Sequence, residues 1–337
     1  MIAPFRLVAQ SAAILLLGVS LAAAQQTEAA RDVSRPNIIF MMADDLGYGD
    51  IGPFGQKLIA TPQLDRMAAE GTKFTHCYTG SPVCAPSRSV LMTGQHTGHT
   101  RVRGNAGLVG GVGRERRVPL EDQDVTVAEV LKQAGYATGI TGKWGLGEPD
   151  TSGVPTRQGF DEWLGFLNQN HAVDYYTDYL WHNETRRTLE GNTGGRKGEY
   201  AQEVFTQFAL DFIRRHQARP FFLYLAWTTP HADREVPDLG SYADRDWPAD
   251  ARVTAAMISR LDADVGRIFT LLKELGLDER TIVFFCSDNG VGHTHGRLFD
   301  STPNLRGAKG DVYEGGMRTP MLVRWPGHVP AGATSDA

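Results

Sequence analysis

The sequence is short of cysteine, of net basic charge and of long apolar runs, and each shortage removes a class of protein. Its 337 residues hold three cysteines, Cys77, Cys84 and Cys286. That is too few for the stapled framework of a small secreted domain. Cys77 and Cys286 could form one bridge, and spacing alone leaves open whether they come within reach. Lys and Arg number 34 against 39 Asp and Glu, a net charge of −5 with the basic residues scattered. This excludes a basic nucleic-acid-binding face. Past residue 24 no run is long and apolar enough to span a bilayer. No internal repeat and no long low-complexity tract is present, which excludes a solenoid.

What remains is a globular composition, 41% hydrophobic with 38 glycines, enough for one large α/β domain. Residues 1–24 stand apart. Arg6 is their only charge, Ser11 to Leu21 is an apolar stretch, and Ala22-Ala23-Ala24 offers a small-residue cleavage pattern. The segment reads as a signal peptide cut near Gln25, implying export to a periplasm or the exterior. Retained, it would be an N-terminal anchor. Residues 25–35 read as a disordered leader, and Asn183-Glu184-Thr185 is a glycosylation sequon.

From Pro36 onward, short apolar runs alternate with helical patterns. Ile38 to Met42, Ala137 to Thr141, Phe221 to Trp227 and Thr281 to Cys286 read as buried strands, and Met321 to Trp325 as a last one. Thr61 and Pro62 open one helix, and Thr126 to Glu129 is a capping box opening another. Ala201 to Arg215 and Ala251 to Gly276 are amphipathic helices. Such alternation predicts a mainly parallel central sheet flanked by helices, whose ligands gather at the strands' carboxyl ends. Polar groups cluster there: Asp44 and Asp45, Lys143, His231, and Asp288 with Asn289. Taken singly, each is as well explained by a solvated turn. Together, adjacent carboxylates at buried strand ends call for a cation, and oxygen ligands suit a hard divalent ion. The stretch His171 to Trp181 is rich in aromatics, suited either to stacking sugar rings or to a hairpin packed on the core.

One stretch is more specific. In Cys84-Ala85-Pro86-Ser87-Arg88, followed by Leu91-Met92-Thr93-Gly94, the proline fits an early helical position. Cys84 then lies at a helix N-terminus, where N–H groups favour anions, with Arg88 a turn on. This string resembles the signature of the type I sulfatases, members of the alkaline phosphatase superfamily, and the resemblance runs from about Pro36 to Gly327.

The resemblance implies an alkaline-phosphatase-like α/β sandwich over residues 36–330 and a sulfuric ester hydrolase. It implies that a formylglycine-generating enzyme oxidises Cys84, giving an aldehyde whose hydrate is the nucleophile. Asp44, Asp45, Asp288, Asn289 and the modified Cys84 would hold one divalent metal, Ca2+ ahead of Mg2+. Arg88 would steady the hydrate. Lys143, His231 and Lys309 would grip the sulfate and assist the leaving group. The substrate would be a sulfated small molecule or glycan. Two departures stand out. Gly145 replaces the histidine of the family's Gly-Lys-Trp-His-Leu-Gly motif, leaving His293, His295 or another group to substitute; were a base simply missing, Gly145→His would raise turnover. Residues 331–337 read as the truncated start of a linker, with the family's smaller C-terminal subdomain missing. The rival readings are a phosphomonoester or phosphonate hydrolase of the same superfamily and a non-catalytic sulfated-glycan-binding protein.

Overall fold

The computed structural model describes residues 35–105, 118–292 and 295–336. The expected signal peptide, nearly all of the leader, and His293 lie outside the described residues. Ten strands form one mixed sheet: β1 (Asn37–Ala43), β2 (Thr72–Tyr78), β3 (Ala137–Lys143), β4 (Glu162–Phe166), β5 (Tyr179–His182), β6 (Thr185–Thr188), β7 (Phe221–Ala226), β8 (Thr281–Ser287), β9 (Arg318–Arg324) and β10 (Ala333–Ser335). Their order is β10-β2-β9-β8-β1-β7-β3-β4-β5-β6. The centre, β8-β1-β7-β3-β4, is parallel throughout. The mainly parallel sheet expected from the sequence is therefore present.

The central strands are apolar on both faces, and their alternation divides the core in two. Ile39 and Met41 of β1 and Leu223 and Leu225 of β7 point one way, into a layer shared with Phe205, Phe212, Leu261 and Ile268. Met42, Phe222, Tyr224 and Ala226 point the other way, to Trp144, Trp163, Ala85 and Met92. The first layer is closed by helices α1 (Pro62–Ala69), α4 (Ala201–His216) and α5 (Ala249–Glu274), the second by α2 (Cys84–Thr93) and α3 (Val127–Gln133). Two one-turn helices, α6 (Gly296–Phe299) and α7 (Glu314–Met317), complete the set among the described residues.

Local signals mostly hold, with two differences. The capping box forms as expected: Thr126 accepts from the Glu129 N–H, and Glu129 reaches back to the Thr126 N–H. Thr61 does occupy the N-cap position of α1, but its hydroxyl accepts from Gly52 instead. The free N–H groups of Gln63 and Leu64 go to the Asp262 carboxylate, 3.0 and 2.8 Å away, supplied by α5. Ala333–Ser335, where the start of a linker is expected, pairs with β2 as an edge strand. The aromatic stretch takes the hairpin alternative. β5 and β6 pair antiparallel at the opposite edge, with Arg186 lying over the Tyr179 and Trp181 rings.

Candidate active site

Parallel register brings the expected residues together. Met42 lies opposite Ala226 and Cys286, and Gly142 opposite Ala226, so β1, β3, β7 and β8 end level. The strand ends are then tied to one another. The Asp44 N–H donates to the Thr229 carbonyl at 3.0 Å, and the Asp288 N–H to the Ala43 carbonyl at 3.1 Å. The backbone approaches so closely that Gly142, at φ +105°, has no room for a Cβ beside the Ala226 carbonyl. Asp45 adopts φ 67°, a left-handed conformation uncommon outside glycine and typical of constrained functional turns.

Cys84 is the first residue of α2 and is fully buried. Its Sγ lies 3.4 Å from Asp44 Oδ1 and 3.9 Å from Asp45 Oδ1. No side chain at Val83 caps the helix, but the Ala85 N–H is taken by Asn105 Oδ1 at 2.9 Å. Arg88, one turn on, donates through Nη2 to Asp288 Oδ2 at 2.7 Å and through Nη1 to the Lys143 carbonyl at 2.7 Å. Lys143 Nζ is 2.7 Å from Asp44 Oδ2, and Lys309 Nζ is 2.7 Å from Asp45 Oδ2. Lys309 Nζ also lies 3.1 Å from His231 Nε2, while His231 Nδ1 contacts the Ala232 carbonyl. That contact assigns the Nδ1–H tautomer to the neutral ring and leaves Nε2 facing Lys309 and Asp45.

All nine residues expected at the site therefore meet in one cluster, and their charges answer one another. Burial raises the Asp44 pKa, but Lys143, His231, Arg88 and Lys309 outweigh it and hold the carboxyl well below the usual range. Against the same burial, Asp288 keeps Arg88 protonated and Asp44 holds Lys143 above the usual lysine range. Asp288 is pushed up to about 7, by burial first and then by repulsion from Asp44, with Arg88 pulling the other way. Burial, and then Asp44, raise the Cys84 thiol; burial lowers His231, with Asp44 opposing.

The donor set suits a hard cation. Asp44, Asp45, Cys84 and His231 can each offer an atom within 4.8 Å of the others. Asn289 donates through Nδ2 to Asp45 Oδ1 at 2.7 Å, and its Oδ1 is buried with no hydrogen-bond partner. A buried carbonyl oxygen on a carboxamide that touches the Asp45 carboxylate is the kind of ligand Ca2+ or Mg2+ takes. Asp288 borders this group, with Oδ2 committed to Arg88 and Oδ1 accepting from the Asp45 N–H at 3.2 Å.

Some participants were not legible in the sequence. Tyr175, buried, sets its hydroxyl 2.8 Å from the Thr228 carbonyl and 2.9 Å from that of His231, backing the histidine's loop. Ser287 accepts from the Leu46 N–H at 3.0 Å and donates to the Asn289 carbonyl at 2.9 Å. Nothing in the spacing of either residue marks that role. Of the histidines considered as substitutes at Gly145, His295 lies 3.3 Å from Asp250 and against Phe299 instead. His96 and His99 are exposed. Cys77 and Cys286 are free thiols.

A family model described as Sulfatase matches residues 36–337. The chain is 38% identical to the N-acetylgalactosamine-6-sulfatase of Canis lupus familiaris over 89% of this chain and 59% of that protein. It is 35% identical to arylsulfatase A of Homo sapiens over 89% of this chain and 61% of that one. A solved structure of Ps i-CgsB in complex with k-i-k-neocarrahexaose superposes with a TM-score of 0.77 at 31% identity, covering 89% of this chain and 68% of that chain. The chain thus spans about three-fifths of the length of the curated relatives it matches.

Proposed function

The chain belongs to the sulfatase family, and from that premise we propose that the protein hydrolyses sulfate monoesters, with Cys84, oxidised to formylglycine, as the source of the nucleophile. The observation that carries this reading is the packing of Arg88, Lys143 and Lys309 around Cys84 and three buried carboxylates. A sulfate ester repels an incoming nucleophile through its own negative charge. Fixed, desolvated cations offset that charge where it develops.

In this reading Asp44, Asp45, Asp288 and Asn289 hold a divalent cation, Ca2+ ahead of Mg2+. When bound, the cation supplies Lewis acidity and compensates the carboxylates. Arg88, clamped between Asp288 and the Lys143 carbonyl, orients the group at position 84. Lys143 and Lys309 bind the sulfate oxygens. His231 Nε2 and Lys309 Nζ, 3.1 Å apart, hold a proton between them that can pass to the departing alcohol oxygen. Ionised Asp44, on Lys143, fixes that lysine's position.

The substrate class proposed is a sulfated carbohydrate. Two observations support it: the N-acetylgalactosamine-6-sulfatase relatives and the structural relative bound to k-i-k-neocarrahexaose. Export, periplasmic or secreted, is proposed from the sequence pattern of residues 1–24. No helix among the described residues is long and apolar enough to cross a membrane.

Nitrophenyl sulfate and nitrophenyl phosphate separate this reading from its rivals. With Cys84 oxidised, the sulfate ester is expected to be cleaved with a kcat/KM at least about tenfold above the phosphate ester. The reverse order would make the protein a phosphoester hydrolase. Glycan binding with no cleavage of either ester would make it a binding protein.

A further inference from the structure

The connection after β4 holds a polar side chain that the site as described does not use. Beyond their last strand residues, the β3 and β4 chains continue side by side: the Trp144 N–H donates to the Phe166 carbonyl and the Gly145 N–H to the Leu167 carbonyl, each at 2.9 Å. Gly145 has φ +80° and so presents no side chain to the wall that Lys143 begins. The room is filled from the neighbouring segment. A Cβ at residue 145 would lie 2.7 Å from Gln169 Nε2, 3.3 Å from its Cδ and 3.5 Å from its Oε1.

Gln169 is 7% exposed, and neither its Nε2 nor its Oε1 has a hydrogen-bond partner among the described residues. Its neighbours are committed. Asn168 Oδ1 accepts from the Asn170 and His171 N–H groups, and Asn168 Nδ2 donates to Glu148. A buried carboxamide with both atoms unpaired is costly, and a fold keeps one where it meets a partner from outside the chain. The segment it touches leads straight to the site. Lys143, two residues before Gly145, grips Asp44 through Nζ and receives Arg88 through its carbonyl.

We propose that the Gln169 carboxamide, reaching into the space that Gly145 leaves open, is a neutral hydrogen-bonding contact for the sulfate-bearing group held over Cys84. This rests on the sulfatase reading above. An amide does not titrate near neutrality, so Gln169 orients an anion by donating from Nε2 and takes up no proton. Acid–base work stays with His231 and Lys309.

The test is Gln169→Leu, close in shape and without polar atoms, in the full chain with Cys84 oxidised. Three quantities are read: kcat/KM on nitrophenyl sulfate, Tm, and the rise in Tm on adding inorganic sulfate. Sulfate is kept at millimolar concentration, below the range of general salt stabilisation. The expected result is a fall in kcat/KM of about tenfold or more, an unchanged or higher Tm without sulfate, and a smaller sulfate-induced rise. A purely structural glutamine would give the opposite pattern, a lower Tm with wild-type kcat/KM and a wild-type sulfate response. That pattern overturns the proposal, as does a wild-type Tm indifferent to sulfate. Should the leucine variant fail to fold, Gln169→Asn, which withdraws the amide by one carbon, is judged by the same quantities and the same results. If wild type cleaves no ester while its sulfate response still depends on Gln169, the hydrolase reading fails and the anion contact stands.

Discussion

Single residues decide most of the site's character, and Gly145 is the clearest case. The sequence marks it as the one place in the lysine motif where a histidine is missing, and on that ground alone restoring the histidine looks like a gain. The backbone reverses the sign. At φ +80° an L-residue is strained by about 1–2 kcal/mol, and its Cβ would press on the Gln169 amide. Gly145→His is therefore expected to lower both stability and turnover, measured by urea unfolding and by sulfate-ester hydrolysis. Raised turnover at unchanged stability would show that the space is not taken. Cys84, Arg88, Lys143 and His231 were legible because each stands in a short motif or follows a strand end, and Lys309 only through the family resemblance. Gln169 was not, because its meaning lies in a neighbour across the β3–β4 connection rather than in its own spacing.

At the scale of elements, strand ends were legible and helix ends only in part. Apolar runs of strand length announced β1, β3, β7 and β8, since a strand covered on both faces has no polar alternation to confuse it. The start of α1 was legible in position but not in bonding: Thr61 is the N-cap residue, while Asp262, about two hundred residues away in α5, has the hydrogen bonds. No local pattern reveals a cap delivered from another helix. Asp262 is pushed up to about 6, by burial first and by Asp65, with the Gln63 and Leu64 N–H groups opposing. A carboxyl whose folded pKa exceeds its unfolded value contributes stability below the unfolded pKa and loses it as pH rises through the folded one. Asp262→Asn removes that titration at a cost of about 1 kcal/mol in capping. The variant's stability relative to wild type is thus expected to improve between about pH 4 and about pH 7, by up to about 3 kcal/mol. Urea unfolding at the two pH values measures it; a pH-independent difference would contradict the assignment.

At the scale of the molecule, the carboxyl edge of one sheet gathers the site, with Cys84 and Arg88 brought to it by α2. Charge at its carboxyl edge is nearly balanced within the pocket, three carboxylates against Arg88, Lys143 and Lys309, although the chain is acidic overall. What the sequence did not disclose at this scale is how the sheet closes at its edges. The β5–β6 hairpin takes up an aromatic stretch equally suited to a binding platform, and β10 adds an edge strand on β2 at residues expected to begin a linker. The hairpin is a local pairing that decides between two equally possible uses of one stretch, whereas β10 depends on a pairing between distant segments, which no periodicity records. The proposed hydrolysis depends on the chemistry of Cys84. Its most direct test is the mass of the tryptic peptide spanning residues 74–88 after co-expression with a formylglycine-generating enzyme. Cys84 is expected to exchange its sulfur and two hydrogens for one oxygen. A thiol that persists there while a control sulfatase peptide is converted would contradict it.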